Sequence, residues 1–281
     1  MDIITGEKIQ DICDLSLLPN YKIQSRDINK IFLLSNLNQR IDNPNIIFTF
    51  TDTFEISFKE LVIRLQLLKN KFVLVVNQSD YKIDERYLTI FDKVPNLQRI
   101  YATNINVIHN RIIPIPLGLA NSKWKHGDLS IINKYITLLN NNKINKDKLV
   151  YFFFSIDTAK QIRTECYNKI IKKKIPFLNN TDYDTYINTL SQYKFAISPE
   201  GNGIDCHRFW EALYMKTIPI CLPNTIVNYY AKYFPVVILN NWDELDISKL
   251  DDIYNKADWS NYNKLDMKYI KDMIYQNKDT F

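Results

Sequence analysis

The chain has 281 residues, 46% hydrophobic and 24% charged, which is enough to bury one large core or two modest ones. Its 36 basic and 31 acidic residues leave a net charge of +5 spread along the chain, unlike the concentrated patch of a nucleic-acid-binding module. The four cysteines, Cys13, Cys166, Cys206 and Cys221, make no CxxC pair, so neither a zinc ribbon nor a disulfide framework is expected and a reducing compartment fits best.

The opening stretch MDIITGEKIQDICDLS lacks the basic start and apolar run of a signal peptide. No segment approaches the ~18 consecutive apolar residues of a membrane span, so a soluble, cytoplasmic protein is expected. Next, IIFTFTD (46–52) and KFVLVVNQSD (71–80) read as buried parallel strands, separated by a helical pattern over 58–70. A helix over 87–94 and a strand over 96–104 follow. The stretch 111–127, with Pro114, Pro116 and Gly118, reads as a last strand and a crossover.

After a polar break at 140–148, LVYFFFSI (149–156) starts a second series. Asp157-Thr158 is expected to cap a helix that ends in Lys172-Lys173-Lys174, a basic run read as its solvated end. A helix over 182–193, the strand KFAISPE (194–200), a helix over 207–215 and strands at 217–222 and 234–240 complete the series. The expected fold class is α/β, with two Rossmann-like lobes facing a cleft. Residues 1–140 form the N-terminal lobe, residues 141–248 the C-terminal lobe, and 249–281 a helical tail that packs back on the first lobe.

The chemistry concentrates in SPEGNGIDCHRFWEALYMKTIPI (198–220), a strand–loop–helix–strand unit. Arg208 near the helix start can fork onto a diphosphate, and Glu211 one turn on can accept ribose hydroxyls. Gly201 and Gly203 are expected to let the backbone approach a ligand and to take positive φ. The alternative is a structural junction, with Asp205 as the N-cap and Arg208 paired to Glu211. Ser155, Thr158 and Arg163, after the strand of 149–156, lie where they can help hold a leaving diphosphate or simply cap a helix.

This segment resembles the donor-site signature of exostosin-like glycosyltransferases, in which a strand leads into S-P-x-G-N-G-x-D-x-H-R-x-W-E-A-L and then x-I-P-I. The similarity extends upstream through IPLGLANSKWKHG and FFFSIDTAKQIR and covers roughly residues 71–245. More distantly, the chain is similar to α1,3-fucosyltransferases, whose helix carries Thr-Glu-Lys where Arg208 stands here. Met215-Lys216 departs from both patterns, which place a small residue and a glycine before the strand. The resemblance implies a GT-B arrangement, a diphosphate contact from Arg208 and a ribose contact from Glu211. Ser198, Asn202, Gly203, Asp205 and His207 would then line the sugar and phosphate pocket. It also implies a nucleotide-sugar donor, with a UDP-sugar favoured and a GDP-sugar second, and a glycan or glycoprotein acceptor.

Inverting transfer needs a general base, expected in the first lobe across the cleft at Asp80 or, second, Asp52; His109 sits in a less defined loop. Asp182-Tyr183-Asp184 is a D-x-D ahead of a helical pattern and reads as a helix N-cap. His207 and Glu211 share a helix face but lack a third ligand, so no metal site is expected. The rival readings are an inactive glycan- or nucleotide-binding relative and, less favoured, a basic nucleic-acid-binding module.

Overall fold

In the computed structural model, which describes residues 1–19, 30–179 and 182–276, the apolar runs become short parallel strands. The chain divides into two units, Met1–Leu117 with Asp266–Phe281, and Gly118–Leu265. The first contains α1 (Gly6–Asp11), β1 (Leu15–Leu18), β2 (Ile31–Leu33), β3 (Ile46–Phe50), α2 (Thr51–Ile56), α3 (Phe58–Gln66), β4 (Phe72–Asn77), α4 (Ile90–Lys93), β5 (Leu97–Ala102) and β6 (Ile112–Pro114). Among the described residues the strands form one parallel sheet in the order β2-β1-β3-β4-β5-β6. Every residue of β1, β3 and β4 is buried, as expected of strands covered on both faces. The direction of winding reverses between β1 and β3, the switch point at which open α/β sheets bind ligands.

The second unit contains α5 (Leu129–Asn140), β7 (Lys148–Tyr151), α6 (Lys160–Ile170), α7 (Tyr183–Ser191), β8 (Tyr193–Ile197), α8 (His207–Tyr214), β9 (Ile218–Cys221), α9 (Thr225–Tyr230), β10 (Val237–Ile238) and α10 (Leu250–Asn255). Its sheet is also parallel, in the order β10-β9-β8-β7. Phe152, Phe154, Cys166, Phe195, Ile218 and Trp242 form the centre of its core.

Residues 118–140, expected in the first lobe, belong to the second unit, where α5 lies against α7: Lys134 and Tyr135 both bond Asp184. The region expected to be a tail is divided. Helix α10 buries Leu250 in the core of the second unit. The last helix, Met267–Gln276, inserts Met267, Ile270 and Ile274 into the core of the first. Two bonds from backbone amides hold it to residue 2, one from Met267 N to Asp2 O at 2.8 Å and one from Asp2 N to the Asp266 carboxylate Oδ2 at 2.8 Å. No helix among the described residues is long and apolar enough to cross a membrane.

Candidate functional site

The segment 198–220 forms a βα junction followed by a strand. Phe195, Ala196 and Ile197 are fully buried in β8, and the chain then leaves the sheet at Ser198-Pro199. Helix α8 packs Phe209, Trp210, Ala212, Leu213 and Tyr214 inward. It ends at Lys216, whose φ of 50° is left-handed, as its amide returns to Leu213 O at 2.9 Å. This is the conformation a glycine commonly adopts after a helix, and here a lysine takes it. Its Nζ lies over the Tyr262 ring at 5.0 Å.

The loop between β8 and α8 is tied down by side chains. Asp205 is 3% exposed and accepts from Trp210 Nε1 at 2.7 Å. It is not the N-cap; Cys206 holds that position and makes no side-chain cap. Neither Gly201 nor Gly203 has positive φ; among the described residues the only glycine that does is Gly118. The turn is made instead by a bond from Gly201 N to Gly203 O at 3.2 Å and by Asn224. Asn224 Nδ2 donates to Ile204 O at 3.1 Å and to Glu200 Oε1 at 2.8 Å, while its Oδ1 caps α9 through Val227 N. A cavity of about 240 Å³ opens at the carboxyl ends of β8 and β9, with Ser198, Glu200, Asp205, Phe209 and Asn224 in its wall. Glu200 and Asn224 were missed by sequence reasoning, although Asn224 just before TIVNYY is a recognisable cap. Asn202 is exposed.

Two arginines meet at this junction. Arg163, on α6, is 6% exposed and donates from Nε to Glu200 O and from Nη1 to Ser155 O, each at 2.9 Å. Its Nη2 lies 3.4 Å from where a Cβ on Gly201 would stand, so a side chain at that position would crowd the guanidinium. Burial lowers its pKa, and the neighbouring positive charge of Arg208 lowers it further. Half-buried Arg208 donates from Nη1 to Tyr186 Oη at 3.2 Å, and its buried Nε has no partner. Among the described residues neither arginine makes an ion pair with a carboxylate.

Glu211 is 4% exposed, and its two oxygens accept from Tyr183 Oη at 3.2 Å and Tyr186 Oη at 2.7 Å. Burial, helped by the Glu211 charge, pushes the Tyr183 phenol well up, so it is a donor at neutral pH. The Arg208–Glu211 pair of the structural alternative is therefore replaced by a chain in which Tyr186 bonds both. His207 Nδ1 bonds Gly118 O at 2.8 Å, and its ring lies 6.3 Å from that of His126.

The remaining sequence candidates are placed differently from expectation. Strand β7 stops at Tyr151, and the N-cap of α6 is Ala159 with φ 50°, so Asp157-Thr158 is not the cap and Thr158 lies in the preceding turn. Ser155 contributes its carbonyl. Asp182 caps α7 through Thr185 N at 2.8 Å, as read from the D-x-D. Strand β4 ends at Asn77 because Gln78 turns left-handed with φ 71°, so Asp80 is an exposed residue beyond the strand rather than its end. Asp52 is buried in the first turn of α2, just past β3. His109 stacks on Phe91 with ring centroids 4.9 Å apart. Among the described residues no three His, Cys, Asp or Glu side chains gather as a metal site. No family model matches the sequence, and no curated protein matches it.

Proposed function

We propose that this chain is a glycosyltransferase that moves a sugar, with inversion, from a nucleotide-sugar donor to a hydroxyl of a glycan or glycoprotein acceptor. A UDP-sugar is the first choice of donor and a GDP-sugar the second. The observation that carries the reading is the pair Arg163 and Arg208 at the carboxyl end of β8, neither of which, among the described residues, makes a direct ion pair with a carboxylate; Glu211 reaches Arg208 only through Tyr186. A buried guanidinium is normally balanced by an anion, and a diphosphate supplies one in the geometry a guanidinium prefers. During transfer the two cations stabilise the charge that develops on the departing diphosphate. The similarity of 198–220 to the exostosin-like donor signature points to the same ligand.

Glu211 reaches a ribose only through the lone pairs its tyrosines leave open. Its first role is to hold Tyr186, and through it Arg208. Asp205 is engaged by Trp210. With Asp205 and Glu211 so engaged and Glu200 accepting from Asn224, the base is sought in the first unit, at Asp52 or Asp80.

A thermal-shift screen of UDP, GDP, CDP and their sugar conjugates tests the donor site. A nucleotide at about 100 times its Kd adds ~2.7 kcal/mol of stability, a rise of roughly 5–10 °C for a domain of this size. Arg208→Ala and Arg163→Met are expected to abolish the rise. Equal binding by both variants, or no response to any nucleotide, would sink the assignment. The observation that Glu211 and Asp205 already have partners also suits a binder without transferase activity. That protein would bind the donor but release no sugar from it.

A further inference from the structure

Among the described residues, the first unit carries another buried arginine that makes no ion pair with a carboxylate. Arg64, on α3, is 2% exposed. Its Nη1 donates to Leu37 O at 3.1 Å and its Nη2 to Gln39 O, while its buried Nε has no partner. Carbonyl oxygens carry only partial charge, and an arginine does not shed its proton. A full charge buried in this way is costly until an anion reaches it.

The surroundings supply a place for one. Arg64 lines a pocket of about 460 Å³, within the size range of small-molecule sites, whose wall also holds Arg40, Lys69 and Asp42. Arg40 and Asp42 pair at 2.9 Å, and both are well exposed, so Arg40 can exchange that weak partner for another anion. At the end of α3, Leu67 N and Leu68 N return to Arg64 O and Leu65 O, so two of its last carbonyls are engaged, and the cations must outweigh the partial negative charge of that end. Three cations thus face the pocket against one carboxylate.

We infer that this pocket, between the 37–43 loop and the end of α3, binds a phosphate-bearing small molecule, with Arg64 at its base and Arg40 and Lys69 at its rim. A phosphate matches the guanidinium fork and demands more than one cation. The pocket is larger than one phosphate, so a phosphomonoester of a small sugar fits better than the free ion. This site lies within the first unit and is independent of the donor reading.

Amide spectra of the full ¹⁵N-labelled chain, titrated with inorganic phosphate, ribose 5-phosphate and neutral ribose, test the inference. Saturable shifts in residues 37–43 are expected with both phosphates, stronger with ribose 5-phosphate, and absent with ribose. Arg40→Ala with Lys69→Ala should weaken binding at least tenfold with an unchanged unfolding midpoint. Arg64→Met should abolish it, but the double variant decides the question if the 37–43 loop comes loose. Arg208→Ala should leave these shifts intact. No saturable shift in 37–43, equal shifts with neutral ribose, or wild-type affinity in the double variant would overturn the inference.

Discussion

Asp205 shows how a polar residue in a functional-looking motif can have a structural partner. Removing its carboxylate by Asp205→Ala leaves the buried Trp210 N–H without an acceptor, and a loss of about 1–3 kcal/mol is expected in denaturant unfolding. Lys146 is a second, half-buried polar group, with Nζ bonding Ser191 O, Tyr193 O and Thr217 Oγ1 at 2.8–2.9 Å. Burial, and then the Lys216 charge, push its pKa from 10.5 down to about 7. Between those values the unfolded chain holds a proton that the folded chain has released, so folding stability rises with pH through that window. Below about 7 both states are protonated and the contribution is flat. The thermal midpoint should climb between pH 7 and 9, and Lys146→Met should remove that climb. For the acceptor side, Asp52→Asn and Asp80→Asn separate the two candidate bases, since the true base loses transfer while keeping nucleotide binding. Asp52 is expected to be the one, because it sits just past β3 at the switch point of the first sheet.

At the scale of elements, Asn224 joins three segments through one side chain: the cap of α9, the Ile204 carbonyl and Glu200. Asn224→Ala should cost roughly 1 kcal/mol as a lost cap and should also loosen the 198–206 loop. The measurable sign is a fall in both the unfolding midpoint and nucleotide affinity, with a smaller change in Asn224→Ser. The strands β3, β4 and β8 were legible as short unbroken apolar runs, and the helices α3 and α8 by apolar residues at helical spacing. FFFS after β7 was not. Phe152 and Phe154 are core residues, but Phe152 O bonds Leu178 N and Ser155 O bonds Arg163, both outside the ladder. Burial was readable there and hydrogen bonding was not. The four-residue β1 and three-residue β2 are too short for a period to show. At the site, the chain position of Arg208 and Glu211 was readable. The tyrosines that organise them come from α7, a relation between distant segments that spacing within one motif does not encode.

In the whole molecule, the first unit is built from both ends of the chain and the second is a continuous insertion. Full burial of Met267, Ile270 and Ile274 is worth about 5–8 kcal/mol by transfer, comparable to the entire net stability of many domains. A chain ending at residue 265 should therefore lose the cooperative unfolding of the first unit, while residues 118–265 alone keep theirs. Hydrogen exchange on the truncated chain distinguishes this from uniform weakening, in which amides of β8 and β3 lose protection together. On the ribosome, the order of emergence and the order of completion then differ. The first unit cannot seal its interior until the helix Met267–Gln276 has been made, so the insertion can finish folding while the first unit still waits for that helix.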